Sequence, residues 1–258
     1  MKNNYTLIFG DAIEEMKKLP DKSINMILCD LPYGKTQNRW DVVIPFVPLW
    51  EQYTRIIKER SPIVLFGQGG FSAKLILSNE AWYRYTIIWE KTQPTGFLNA
   101  NRMPLRSHED MIVFYKNLPK YNPQKTTGHP PVHSYTKHTS DGSNYGETKI
   151  GISGGGSTER HPTSVWGFPE DIDRIWTFKK DIQKSSLHPT QKPVALLEKL
   201  VLTYSDKGGI ILDNTSGSFS TGVACQNTGR GFIGIEDDIK YFELGKKRME
   251  ENEVTLKI

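Results

Sequence analysis

Cysteine is scarce in this chain: 258 residues contain two, Cys29 and Cys225, each inside an apolar run and distant from the other. That usage supports neither a disulfide framework nor a zinc cluster, and both are expected as small buried core residues. The histidines His129, His133, His138 and His161 have no cysteine or acidic partner at ligand spacing, so no metal is expected. Long apolar runs are missing too. None approaches the ~18 residues of a membrane-spanning helix, and Met1-Lys2-Asn3-Asn4-Tyr5 has no signal-peptide core. These absences point to a cytoplasmic protein with no membrane partner. Nor is there a large excess of one charge: 33 basic against 29 acidic residues give a net charge of +4 and a pI near 8.8. Such a balance is compatible with a polyanionic partner but lacks the surplus of a histone-like protein. The length suits one substantial α/β core with an insertion.

What is present is organised around Asp30-Leu31-Pro32-Tyr33. The run Ser23-Ile24-Asn25-Met26-Ile27-Leu28-Cys29 reads as a buried parallel strand, with these four residues at its carboxyl end. Open α/β sheets place ligands there, because the chain turns away and leaves a crevice. Pro32 holds Leu31 extended, with the Leu31 carbonyl pointing outward. Asp30 and that carbonyl then form two neighbouring acceptors beside the Tyr33 ring. The set suits an exocyclic amino group on a flat base: two acceptors for two hydrogens, and a ring for stacking. An ordinary strand exit with an Asx cap has the same local pattern, so the rest of the chain must decide.

A strand over 5–9 and a helix over 12–19 complete a βαβ unit with the 23–29 strand, which puts Asp11 at the same sheet edge as Asp30. Taken alone, Asp11 reads as an N-cap. Residues 34–45 form a polar loop with Lys35, Arg39, Trp40 and Asp41, placed either to close over a nucleic acid or to be solvated with Trp40 on the core. A helix over 46–58, a strand over 62–67 and a helix over 71–78 follow. Strands over 85–91 and 110–116 are expected to pair antiparallel around a basic loop carrying Arg102 and Arg106. From 118 to 186 the composition shifts to Lys, Thr, His, Ser, Gly, Pro and Tyr, and the stretch is not expected to join the core. Lys125, Lys137, Lys149, Arg160, Arg174, Lys179 and Lys180, interleaved with Tyr121, Tyr135, Tyr145 and Trp166, suit a segment lying along phosphates. A solvated loop has the same composition, and the histidines here read as phosphate contacts or surface positions.

Order resumes at His188-Pro189-Thr190-Gln191-Lys192-Pro193, ahead of a helix over 194–204 whose first amides favour a carboxylate. A strand over 210–212 runs into the small-residue turn Asp213-Asn214-Thr215-Ser216-Gly217-Ser218, and a helix passes through Cys225. After the next strand, 232–235, Glu236 stands about 20 residues beyond the turn, the spacing of a nucleotide site in which backbone approaches the ligand and a carboxylate holds ribose. A closing helix is expected over 241–250.

Asp30-Leu31-Pro32-Tyr33 resembles the (Asp/Asn/Ser)-Pro-Pro-Tyr motif of DNA amino-methyltransferases, which move a methyl group from S-adenosylmethionine to adenine N6 or cytosine N4. His188 to Pro193, followed by a helix and Leu212-Asp213-Asn214-Thr215-Ser216-Gly217-Ser218, resembles the cofactor half of the β class, where the catalytic motif comes first. The resemblance implies a Rossmann-like α/β fold: seven mostly parallel strands with one antiparallel, helices on both faces, and circularly permuted motif order. Residues 1–117 would be the catalytic half, 118–186 the target-recognition insert and 187–258 the cofactor half. It implies Asp30, Leu31, Pro32 and Tyr33 as the catalytic residues. The cofactor set it implies is Asp11, Ala12, Asp30, Thr190, Gln191, Lys192, Asp213, Asn214, Thr215, Gly217, Ser218, Glu236 and Asp237. In that set, Asp213 and residues 190–192 take the methionine end, Glu236 the ribose and Asp11 the adenine. Lys35, Arg39, Trp40, Arg102 and Arg106 would face double-stranded DNA. The setting is of restriction-modification or phage type, with a homodimer and a cognate restriction endonuclease left open.

Three departures matter. Leu31 replaces a proline whose role runs through its carbonyl, which leucine keeps. Asn214-Thr215 replaces Pro-Phe, at the cost of an apolar contact. Phe219 stands where the family has glycine, so cofactor binding is expected to survive if its φ is negative and its ring points into the core. Aspartate at the first motif position favours adenine. An N4-cytosine enzyme, an RNA amino-methyltransferase and a catalytically weak DNA-binding protein are the alternatives. A nicotinamide-dependent dehydrogenase explains the turn and Glu236 but neither Asp30 to Tyr33 nor His188 to Pro193.

Overall fold

Continuous apolar runs closed by proline, glycine or aspartate become the central strands of the molecule, a computed structural model that describes residues 4–35, 41–136, 153–167 and 191–256. In chain order the elements are β1 (Tyr5–Phe9), α1 (Ala12–Lys17), β2 (Met26–Cys29), α2 (Phe46–Ile56), β3 (Ile63–Gly67), α3 (Gly70–Ser78), β4 (Tyr83–Thr95) and β5 (Arg106–Phe114). Then come β6 (Tyr135–Thr136), β7 (Ser153–Gly154), β8 (Val165–Trp166), α4 (Val194–Tyr204), β9 (Ile210–Asp213), α5 (Ser220–Thr228), β10 (Gly231–Glu236) and α6 (Ile239–Thr255). The chain divides into one unit of Met1–Asn122 with Ser164–Ile258 and a second of Pro123–Thr163.

In the first unit one sheet runs in the order β1-β10-β9-β2-β3-β5-β4-β8. Strand β5 alone is antiparallel to its neighbours, β3 and β4, and the other pairs are parallel. Seven of these strands are the expected sheet with one reversed member. The eighth, β8, is a two-residue addition pairing Val165 and Trp166 with Ile88 and Trp89. Strands β2 and β3 are buried at every residue, as parallel strands covered on both faces must be. Alternation sends Met26, Leu28, Val64 and Phe66 to one face, under α4 and α5, and Ile27, Cys29, Ile63 and Leu65 to the other, under α1, α2 and α3. Helix α2 is amphipathic for this reason, with Leu49, Trp50, Tyr53 and Ile56 on its buried stripe.

The chain leaves β2 for β3 on one side and β9 for β10 on the other. The carboxyl ends of the adjacent strands β2 and β9 therefore flank a topological switch point, where the crevice opens.

Two expectations about the polar region change. Trp166, expected among aromatics along a phosphate backbone, is 2% exposed and packs in the core, with the Lys199 ammonium 3.8 Å from its ring centre. Its apolar area outweighs the polar character of its neighbours in sequence. His129, expected at the surface, is buried and shares a 2.5 Å hydrogen bond with Thr126. In the Pro123–Thr163 unit, Lys125 pairs with Glu159 at 2.8 Å and Arg160 donates to the Ser157 and Glu159 carbonyls, so these cations have partners of their own. Tyr145, Lys137, Lys149, Arg174, Lys179 and Lys180 lie outside the described residues. Helix α6 begins at Ile239, ahead of the expected start, because the Asp238 carboxylate caps it, accepting from the Lys240 and Tyr241 amides, and it runs on to Thr255. Among the described residues no helix is long and apolar enough to cross a membrane, and no cluster of His, Cys, Asp and Glu could hold a metal ion.

Candidate active site

Asp30 follows β2 directly, and the chain then turns through Leu31 and Pro32. Leu31 is buried in the core beneath the corner, and no donor among the described residues reaches its carbonyl. The Tyr33 hydroxyl donates to Asp30 Oδ1 at 2.9 Å, and its ring packs on Phe71 with centroids 4.7 Å apart. The Asp41 carboxylate accepts from the amides of Gly34 and Lys35, both at 2.8 Å, which fixes the chain after the corner. Lys35 donates to the Gln68 carbonyl at 2.5 Å and lies over the Tyr33 ring at 5.7 Å.

Lys192 pairs with Asp30 Oδ2 and with Glu109 at 3.2 Å, and Glu109 pairs in turn with Lys91. Four charges thus alternate in sign from the corner across β5 to β4. Burial pushes the Asp30 carboxyl above the ordinary range, against the lowering effect of Lys192. For Lys192, burial lowers its pKa, but the Asp30 and Glu109 carboxylates more than offset this and hold it raised. Glu109 is held low by Lys192 and Lys91 against the opposing effect of burial. Lys192 was expected at the methionine end of a cofactor, but its ammonium turns to these two carboxylates, the strongest partners in reach.

The small-residue turn after β9 lies beside this corner. The Thr215 hydroxyl donates to the Asp30 carbonyl at 3.1 Å, tying the two strand ends together. Asp213 accepts from the Thr221 hydroxyl at 2.7 Å and the Thr215 amide at 3.2 Å, and burial raises its carboxyl to about 7. Asn214 turns inward: it is buried, and its Oδ1 accepts from Cys29 Sγ at 2.8 Å and the Tyr53 hydroxyl at 2.6 Å. Its side chain is therefore core scaffolding rather than a cofactor contact. Both Glu236 oxygens are engaged as well, accepting from the Gly217 amide at 2.6 Å and the Asp238 amide at 2.9 Å. That carboxylate, expected on ribose, shapes the turn, while Asp237 beside it is exposed and lies close enough to Asp11 to feel its charge. Asp11 caps α1, accepting from the Ile13 and Glu14 amides, with Ala12 buried behind it. The Ser218 carbonyl and hydroxyl accept from Arg248, and the Gln191 amide bridges the two, donating to the Ser218 hydroxyl and accepting from Arg248.

Phe219 divides its expectation in two. Its φ is +54°, the left-handed conformation that favours glycine, yet its ring is fully buried. The ring points into the core, 5.9 Å from Phe242 and 6.2 Å from Phe232. Glycines make the room: a Cβ at Gly245 would come within 2.4 Å of this ring, and one at Gly234 within 2.9 Å. The backbone thus keeps the glycine-like turn, and the side chain stays clear of it.

A pocket of about 580 Å³ opens over the corner, lined by Asp30, Tyr33, Trp89, Phe97, Glu109 and Lys192 among others. Lys35 and Arg106 reach its rim, and Arg106 is tethered to Gln68 at 3.2 Å. Arg102 is exposed on the loop between β4 and β5. Arg39, Trp40 and Thr190 lie outside the described residues. The sequence reading missed Lys91, Trp89 and Glu109. Their signal was phase: Ile87, Trp89 and Lys91 alternate on one strand, Glu109, Met111 and Val113 on the other, so both charges sit in core register. Among the described residues the buried Trp89 indole N–H has no acceptor.

Comparison with known proteins agrees with this geometry. A family model described as DNA methylase matches residues 24–247. The chain is 28% identical to the Type II methyltransferase M.HinfI of Haemophilus influenzae, over 95% of this chain and 68% of that protein. It is 26% identical to the DNA adenine methyltransferase YhdJ of Escherichia coli strain K12, over 95% of this chain and 82% of the relative. Among solved structures, M1.HpyAVI in complex with SAM superposes with a TM-score of 0.61 at 22% identity, covering 95% of this chain and 98% of that one. The cytosine-N4-specific PvuII DNA methyltransferase gives 0.65 at 13% identity, covering 98% and 93%, a likeness of fold.

Proposed function

The chain belongs to the DNA methylase family, and from that premise we propose that it transfers a methyl group from S-adenosylmethionine to the exocyclic N6 of adenine in double-stranded DNA. The observation that carries the reading is the Asp30 carboxylate beside the Leu31 carbonyl, which no donor among the described residues reaches, at the switch point and lining the pocket. The Escherichia coli relative, a DNA adenine methyltransferase, favours N6 over N4.

The target nitrogen cannot be reached inside the base stack, so the base enters the pocket rotated out of the duplex. It stacks on Tyr33 in place of Lys35, which is then free for a phosphate. Asp30 and the Leu31 carbonyl accept the two amino hydrogens, drawing the nitrogen lone pair out of conjugation and aiming it. The Trp89 ring lines the same pocket, and its N–H, which has no acceptor among the described residues, is buried beneath that surface. The Asp30 carboxylate stabilises the positive charge that develops on the amino nitrogen, and positioning supplies much of the rate.

The fit to the cofactor rests on the donor set. Asp30 and Asp213 stand at adjacent strand ends, close enough for Asp30 to raise Asp213 further, and two carboxylates suit a sulfonium cation. When bound, S-adenosylmethionine supplies an electrophilic methyl group. The Gly217-Ser218 backbone approaches it, Asp213 and Gln191 serve its methionine end, and Asp11 and Asp237 its nucleoside. Glu236 acts by holding Gly217. The Pro123–Thr163 unit is the target-recognition region, and Lys35, Arg102 and Arg106 contact phosphates. The reading extends to a cytoplasmic enzyme, a homodimer and a partnered restriction endonuclease.

Incubation with labelled S-adenosylmethionine and unmethylated duplex DNA, followed by nucleoside mass spectrometry, tests the reading. N6-methyladenine is expected. N4-methylcytosine would move the reading to the other amino base, and an unmodified digest would remove it.

A further inference from the structure

Leu98 is 100% exposed, and Phe97 and Met103 on the same loop between β4 and β5 are 67% and 56% exposed. Single exposed apolar residues are ordinary, but three within seven residues on one projecting tip ask for a partner. The tip is built rather than slack. Gly96 turns left-handed at φ +95°, Phe97–Asn99 form a 3-10 turn, and the amides of Arg102 and Met103 donate to the Asn99 carbonyl at 2.8 and 3.0 Å. Its base is fixed by the Thr95 to Arg106 strand pairing and by Arg106 on Gln68. Phe97 lines the same pocket as Asp30, so the tip stands at the mouth through which the base must pass. From Lys91 to His108 the sequence holds Lys91, Arg102 and Arg106 and no acidic residue, which matches a phosphate backbone in charge.

Resting on the methylation reading above, we propose that this tip is a wedge: Leu98, flanked by Phe97 and Met103, enters the base stack where the target adenine leaves it, while Arg102 holds the adjoining phosphate. Rotating a base out leaves an apolar gap whose unstacking must be repaid, and an apolar side chain on a pre-folded turn fills it at little ordering cost. A second copy of this chain would also cover apolar residues, but the position beside the base pocket and the cationic flanks favour DNA.

The test compares wild-type protein with Leu98→Ala on two duplexes carrying the site mapped with the wild type. In one the target adenine faces thymine, and in the other it faces an abasic position, where unstacking is already partly supplied. Leu98 touches no core, so thermal unfolding should coincide for the two proteins. On the paired duplex the variant should lose at least about tenfold in methylation rate, and on the abasic duplex it should stay within about twofold of wild type. An equal change on both duplexes, including no change, would overturn the wedge. So would a mass measurement showing that the variant's only defect is loss of a dimer. If the wild type methylates neither duplex, the methylation reading itself fails, a result separate from these.

Discussion

Asp30 and Asp213 stand at the ends of neighbouring strands, the first half-buried and the second buried, and they are satisfied in opposite ways. Asp30 meets the Tyr33 hydroxyl and the Lys192 ammonium, itself shared with Glu109 and backed by Lys91. Among the described residues Asp213 accepts from neutral donors, the Thr221 hydroxyl and the Thr215 amide. No ammonium or guanidinium among the described residues forms an ion pair with it. The difference fits their proposed roles. A carboxylate that works on a neutral amino group has to be kept ionised by the protein, and the cation that does so has to be neutralised in turn, or it would oppose the positive charge forming on the substrate. A carboxylate that serves a cationic cofactor can leave its counter-charge to that cofactor.

Removing Asp30 breaks the comparison at its root. Asp30→Ala should lower the rate of methyl transfer by about a thousandfold or more, while S-adenosylmethionine still binds at the turn after β9. Single-turnover kinetics with calorimetric titration of the cofactor checks both halves. Retained transfer would move the chemistry away from β2.

The charge chain sharpens it through pH. Burial raises Asp30, and its working form is the ionised one, so transfer should fall as pH drops through that raised pKa. Tyr33, Lys192, Glu109 and Asp213 all face this carboxylate. Lys192→Met removes the cation and should carry the acid limb of kcat upward by about one unit or more, whereas Glu109→Gln removes a like charge and should carry it downward. A merely structural loss would lower both profiles without displacing their limbs in opposite directions.

Asp213 predicts a smaller, cofactor-side effect. With its carboxyl near 7, the ionised form gains as pH rises from 6 to 8, so S-adenosylmethionine affinity should rise by roughly tenfold over that span. In Asp213→Asn the affinity should be weaker and flat with pH. Stability carries the opposite sign. A raised carboxyl favours the folded state below its unfolded value and loses that contribution as pH climbs through about 7, so unfolding free energy measured from pH 4 to 8 should decline less in the variant.

The two ends of the cleft also differ in how far they could be read from sequence. The corner was legible because strand burial, a terminal aspartate and a fixed proline are all local. The antiparallel pairing of β4 with β5 followed from two apolar runs around a basic loop, whereas the seven-stranded sheet came from the resemblance. The charge chain was hidden because Lys192 and Glu109 meet across 83 residues of sequence, and only their side-chain phase hinted at it. Trp166 was hidden by its neighbours, since a two-residue edge strand leaves no periodicity to detect. Asn214 and Glu236 occupy the expected places, but which way a side chain turns depends on partners such as Tyr53 and the Gly217 amide that spacing does not reveal.

Phe219 offers the smallest and most specific test, because strain and packing oppose each other there. A non-glycine residue at φ +54° costs about 1–3 kcal/mol, and the buried ring more than returns it. Phe219→Gly should therefore relieve the backbone yet lose about 2 kcal/mol net, with S-adenosylmethionine affinity unchanged because the ring points away from the turn. Gly245→Ala places a methyl 2.4 Å from that ring and should cost about 1–3 kcal/mol by overpacking. Combined, the alanine methyl enters space the ring has left. The double variant should therefore be more stable than the sum of the single losses, by about 1 kcal/mol or more in a denaturant cycle. Additive losses would mean that the two positions do not share the space. A fall in cofactor affinity in Phe219→Gly would instead place the ring's influence on the turn itself.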